Sequence, residues 1–166
     1  MKKPIPTQQT PDNIARVLAL LAATPDGLAA HARGRDDEQL RQSVGPGERS
    51  FVETVAHLIN TEWRTTESIT LALLTDEPLL PAIHAERDYG KLLRHDLMPP
   101  AESLAYFRYR RVVLLRVLSS LNEARWARTV REAGKQRRES VYWLARGMAL
   151  HEREHLLQLA GGRGEA

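Results

Sequence analysis

The sequence predicts an all-α protein, a four-helix bundle with long loops after the first and second helices. Four long segments place apolar residues at helical spacing, and no two segments show the alternation of apolar and polar residues that marks paired strands. The chain has 166 residues, 42% of them hydrophobic, which is the size of one domain with enough material to bury a core.

The first helix opens at Thr10-Pro11-Asp12, an N-cap followed by proline in the first turn, where the missing N–H has no helical partner to lose. Ile14, Val17, Leu18 and Leu21 recur at helical spacing. Thr24-Pro25 predicts the end, because proline cannot donate to the helix and its ring crowds the preceding turn. From Asp26 to Gly47, short apolar islands alternate with glycine and charge, which reads as a loop with one short helix.

The second helix begins after Ser50-Phe51-Val52-Glu53, a capping box in which serine accepts from the third helical amide while glutamate reaches back. It runs to about Thr75, with Val52, Val55, Ile59, Ile69 and Leu73 as its apolar stripe. Asp76 to Pro100 carries Pro78, Pro81, Gly90, Pro99 and Pro100, too much punctuation for one helix. It is a long connection, with a helical turn or two between Asp88 and Asp96.

The third helix spans Ala101 to about Leu121 on Leu104, Phe107, Leu114, Leu118 and Leu121, with Val113 and Val117 widening the face. A charged loop from Arg125 to Arg138 leads to a last helix from about Glu139 to Ala160, before Gly161-Gly162. The sequence contains no internal repeat and no low-complexity tract.

Composition narrows the chemistry. With no cysteine there is no disulfide, thiolate ligand or cysteine nucleophile, so His, Asp and Glu are the strong ligands left. No apolar run approaches the roughly 20 residues of a membrane span, and the start Met1-Lys2-Lys3-Pro4-Ile5-Pro6 lacks the apolar stretch of a secretory signal. The expectation is a cytoplasmic protein with no membrane partner. A net charge of +3 is small beside the dense basic face of a nucleic-acid binder. Arg125, Arg128, Arg131, Lys135, Arg137 and Arg138 do cluster, but Glu123, Glu132 and Glu139 interrupt them and no aromatics interleave, so a solvated loop and no nucleic-acid partner are expected.

His151 and His155 lie four residues apart and share one helical face, so they can grip one metal ion. Val141, Leu144, Met148, His151, His155 and Leu159 fall within a sector roughly 80° wide. A buried imidazole must find a partner, either a metal or a carboxylate or carbonyl. His151-Glu152-Arg153-Glu154-His155 also matches the H-E-x-x-H pattern of zinc proteases. Only residues 156–166 follow, however, and Gln158 and Gly161 stand where a metzincin needs Gly and His, so a third ligand is expected upstream.

His57 in the second helix is the candidate on position. On its own wheel it shares a side with Glu53, Thr61, Arg64 and Ser68, away from the apolar stripe, a pattern typical of an exposed histidine or of a wet cleft. Glu152, about 100° round from His151, reads as a hydrogen-bond acceptor or base beside the site, or as a solvated glutamate. His31, His84 and His95 read as surface residues, and Trp63, Trp126 and Trp143 as structural. Val112, Val113, Leu114 and Leu115 put apolar residues on more than one side of the third helix, so a homodimer is expected.

Val55-Ala56-His57-Leu58 with Glu62 after a capping serine, then His151-Glu-Arg-Glu-His155-Leu-Leu-Gln-Leu, resembles the DinB-like (DinB/YfiT) family of four-helix bundles. Phe107-Arg108-Tyr109-Arg110-Arg111 and Leu118-Ser-Ser-Leu121 leading to Trp126 resemble its third helix and following loop, so the likeness spans roughly Ile14 to Leu159. The resemblance implies a divalent metal, zinc or nickel, on one histidine of the second helix and two of the last, here matched by His57, His151 and His155. Members with assigned activity include bacillithiol- or mycothiol-dependent S-transferases and a mycothiol-dependent maleylpyruvate isomerase, which implies a small-molecule thiol and an electrophile as partners. The expected function is therefore that of a metal-dependent thiol S-transferase or hydrolase. The alternative is a non-catalytic bundle with structural histidines, acting through dimerisation or partner binding.

Overall fold

The computed structural model describes residues 5–161, so Met1 to Pro4 of the polar start and Gly162 of the terminal glycine pair lie outside the described residues. Four long helices form the body: α1 (Pro11–Ala32), α3 (Phe51–Leu74), α5 (Pro100–Ser119) and α7 (Val141–Leu159). Three short helices connect them: α2 (Asp37–Arg41), α4 (Lys91–Leu93) and α6 (Glu123–Trp126). α1 and α3 each pack against both α5 and α7, which closes the four into a ring around the core. Among the described residues no helix is long and apolar enough to cross a membrane.

The capping signals at Thr10 and Ser50 fix helix starts as expected, and the structure adds two more. Thr10 accepts from the Asn13 amide ahead of Pro11. Ser50 and Glu53 complete both halves of their box at α3, and Asp36 with Gln39 makes a second box at α2. Ser140 caps α7 by accepting from the Trp143 amide. Each contact satisfies an amide that the first helical turn leaves without a partner.

The end of the first helix is a correction. α1 does not stop at Thr24-Pro25 but continues for two further turns, to Ala32. Pro25 has no N–H to offer the Leu21 carbonyl four residues back. Arg111 Nη1 from α5 donates to that carbonyl instead, at 2.6 Å. Further along, Gly27 lets α7 approach, since a Cβ there would lie 3.0 Å from Leu156 Cδ2.

A small sheet is the second correction. β1 (Leu79–Leu80) pairs parallel with β2 (Thr129–Glu132), which pairs antiparallel with β3 (Arg138–Ser140). Segments of two to four residues are too short to show an alternation, and the loop expected from Arg125 to Arg138 instead holds the end of α6 and this hairpin. Four of its arginines contact the fold through their side chains. Arg128 donates to the Ala72 and Thr75 carbonyls and Arg125 to that of Leu73, covering the open end of α3. Arg138 pairs with Glu77, and Arg137 lies over the Trp143 ring.

The core divides in two. One cluster holds Leu21, Ile69, Leu118, Trp126 and Tyr142; the other holds Leu28, Phe51, Val55, Ile59 and Phe107. Between them, at Thr24, Glu62, Arg111 and Glu152, each long helix contributes a polar side chain buried to within 2% of complete. Arg111 donates to Glu62 at 2.8 Å and to both oxygens of Glu152 at 2.9 and 2.5 Å, and Thr24 donates to Glu152 at 2.9 Å. Arg111 therefore takes the core position on α5, and Val113 and Val117, expected to widen that face, point to solvent with Val112.

Candidate metal centre

His57 stands two turns into α3, on a helix whose start the Ser50 box defines, and His151 and His155 stand one turn apart near the end of α7. α3 packs against α7, and the three rings converge. His151 Nε2 lies 3.0 Å from His57 Nε2 and 3.1 Å from His155 Nε2. One ligand atom from each ring falls within 4.8 Å of the others, and among the described residues no carboxylate joins this cluster. His57 is 9% exposed and His155 8%, and Arg64 and Ser68 on the same side of α3 as His57 are buried too, although Glu53 on that side is exposed.

This donor set fits a cation. His57 Nδ1 lies 2.8 Å from Glu86, and donating its proton there leaves Nε2 with a bare lone pair. His151 Nε2 faces two nitrogens, yet a neutral ring nitrogen carries at most one proton and cannot bridge both. Nitrogens bound at about 2.0–2.1 Å to a tetrahedral ion sit roughly 3.3 Å apart, close to the spacing seen here. Burial lowers all three imidazoles, His151 and His155 to about 4, and the neighbouring rings and Arg49 act in the same direction. The Glu86 hydrogen bond works against this at His57. All three rings are accordingly neutral at pH 7, the form that ligates metal.

Residues 10–159 match the family model described as the DinB superfamily. The chain belongs to that superfamily. It is 27% identical over 176 residues to a Geobacillus kaustophilus protein named "Putative metal-dependent hydrolase GK0616", covering 98% of this chain and 94% of that one. A Geobacillus thermodenitrificans protein named "Putative metal-dependent hydrolase" is 24% identical over 164 residues, covering 96% and 92%. Among solved structures, YfiT from Bacillus subtilis, described as "a probable metal-dependent hydrolase with an unusual four-helix bundle topology", superposes with a TM-score of 0.82 at 16% identity, covering 96% of this chain and 90% of that one. The four-helix fold is thus common to this DinB superfamily chain and YfiT.

Glu152 departs from both readings of the sequence. It is neither a base beside the histidines nor solvated. It sits at the centre of the buried arc of α7, about 100° round from His151, in the Arg111 network. Burial raises its carboxyl above the ordinary range, with the Arg111 charge pulling the other way. The zinc-protease reading fails here, because the glutamate it needs as general base is turned into the core.

Glu86 and Asn60 complete the site, and neither was legible in the sequence. A π-helical turn, Ala85–Gly90, carries Glu86 over the rim of the site. Burial alone would raise its carboxyl, but hydrogen bonds from His57 and Asn60 hold it below its ordinary value. Asn60 donates to Glu86 at 3.3 Å and accepts from His95 Nδ1 at 2.8 Å. His95 is therefore buried, not a surface residue as expected, and it anchors the rim segment to α3. Gly90 permits the close approach, since a Cβ there would lie 3.1 Å from Asn60 Nδ2. The one sequence signal was spacing: Asn60 follows His57 by three and shares its helix side. His31 stacks on Phe51 and His84 caps the π-helical turn, and neither joins the cluster. Trp126 is buried in the core, and Trp63 donates to the Tyr106 hydroxyl at 2.9 Å.

Proposed function

We propose that His57, His151 and His155 hold one divalent metal ion through their Nε2 atoms, and that the protein uses it to activate a nucleophile for hydrolysis or thiol transfer. The convergence of three neutral imidazoles at 3.0 and 3.1 Å carries this reading. An all-imidazole set suits zinc or nickel. Such an ion, unneutralised by its ligands, supplies a Lewis acid that lowers the pKa of a water or thiol toward neutrality.

The residues around it have separable roles. Glu86 orients the His57 ring through Nδ1, and Asn60 steadies Glu86. Glu152 is committed to Arg111 and Glu86 holds His57 and Asn60 through Oε1, which favours a nucleophile that ionises without a carboxylate base. A small thiol meets that requirement as well as water does, and the names of the relatives support hydrolysis.

The test loads tag-free protein with zinc or nickel and assays p-nitrophenyl ester hydrolysis beside conjugation of a small thiol to an aryl halide. Turnover in either assay is expected to rise with metal content and to vanish in a His151→Ala variant that stays helical. Turnover indifferent to metal, or none with either nucleophile, would leave the non-catalytic bundle as the better reading.

A further inference from the structure

Two clefts flank the histidine cluster. One, of about 430 Å³, is bordered by His57, Glu86, Lys91, Arg94 and Asp96. The other, of about 360 Å³, is bordered by His155, Thr54, Glu48 and Gln158. Arg49 lines both, so its side chain stands at the divide between them, beside the histidines.

The charges in the larger cleft are mostly spoken for. Glu86 is bonded to His57 and Asn60, Arg94 forks onto Asp96, and Glu53 accepts from the Ser50 amide. Arg49 is exposed, and its charge acts at longer range on Glu86 and on the three histidines. Its backbone is nonetheless fixed. Ser50, next in the chain, is the α3 cap and bridges to Ser43, whose hydroxyl holds the Gly45 and Glu48 carbonyls.

The Arg49 guanidinium attracts Glu86 across the larger cleft but disfavours positive charge on the rings. An anion entering either cleft would be drawn both to a metal at the histidines and to Arg49, which lines both. The planar fork of arginine matches carboxylate or phosphate with two parallel hydrogen bonds. Clefts of 430 and 360 Å³ admit a small molecule.

We propose that Arg49 is a substrate-binding residue, gripping the oxyanion of a small acidic substrate whose reactive group lies at the histidine cluster; this rests on the metal reading above. The experiment titrates zinc-loaded protein calorimetrically with succinate, with 3-phosphonopropionate and with neutral imidazole. In Arg49→Gln, succinate affinity is expected to fall at least tenfold, while zinc content and imidazole affinity stay at the wild-type level. Arg49→Lys should recover only part of the loss, having charge without the fork. A larger Arg49-dependent loss for the phosphonate than for succinate would identify phosphate as the preferred group. Zinc uptake with succinate affinity unchanged in Arg49→Gln would overturn the inference alone. Failure to take up zinc would overturn the metal reading and the inference with it.

Discussion

At the scale of single residues, the site depends on imidazoles kept neutral. An ordinary histidine titrates near 6.5, whereas burial pushes His151 and His155 down to about 4. Protons therefore compete with metal only in acid. The His151 and His155 contributions to metal affinity, measured by competition with a chelator, are expected to stay nearly flat from pH 7 to about pH 5 and to fall as pH drops through 4. Unshifted ligands would each lose up to about tenfold per unit below 6.5. The same shift couples to folding of the metal-free chain. Its unfolded state takes up protons that the folded state refuses, so stability declines as pH falls from 6.5 toward 4. His151 and His155 were legible as a pair because their spacing is periodic. His57 was not legible on its wheel, since its polar side faces a neighbouring helix that only the tertiary fold supplies. Glu86 and Arg49 lie in irregular segments, where no periodicity shows which way a side chain points.

At the scale of elements, local chemistry decided helix starts and tertiary contacts decided where one of them ended. The Ser50 and Glu53 box predicted the start of α3 to the residue, and with it the placement of His57 and Arg49. Ser50→Ala is expected to cost about 1 kcal/mol, by losing a side-chain acceptor for the Glu53 amide. Chemical denaturation would read this as a lower midpoint with an unchanged slope. Pro25 misled because its usual effect, a carbonyl left without a donor, is cancelled by an arginine 86 positions later, Arg111. The sheet was hidden for a related reason. Val130 is its one fully buried strand residue besides Leu80, and no pattern can be read from so few positions.

For the whole molecule, the polar layer joins all four long helices at one level and separates two apolar clusters. A buried charge stripped of its partner is costly, whereas replacing a whole ionic group by apolar side chains of similar volume often is not. Arg111→Met should therefore destabilise by about 3–5 kcal/mol, leaving Glu62 and Glu152 buried against each other. Combining it with Glu62→Met and Glu152→Leu should recover most of that loss in thermal or chemical unfolding. A single variant as stable as the wild type would show that the layer contributes nothing to the fold. The bundle itself was readable from apolar periodicity, which is insensitive to one polar residue per helix. The layer was not, because a lone charge on an apolar stripe looks the same in sequence whether it faces inward or out.

The proposed cation site draws its ligands from two distant stretches of chain, and X-ray absorption on zinc-reconstituted, tag-free protein tests that. One zinc per chain with three imidazole nitrogens at about 2.0–2.1 Å is predicted, with stoichiometric binding lost in His57→Ala. Zinc bound as tightly and with the same spectrum after that substitution would contradict it.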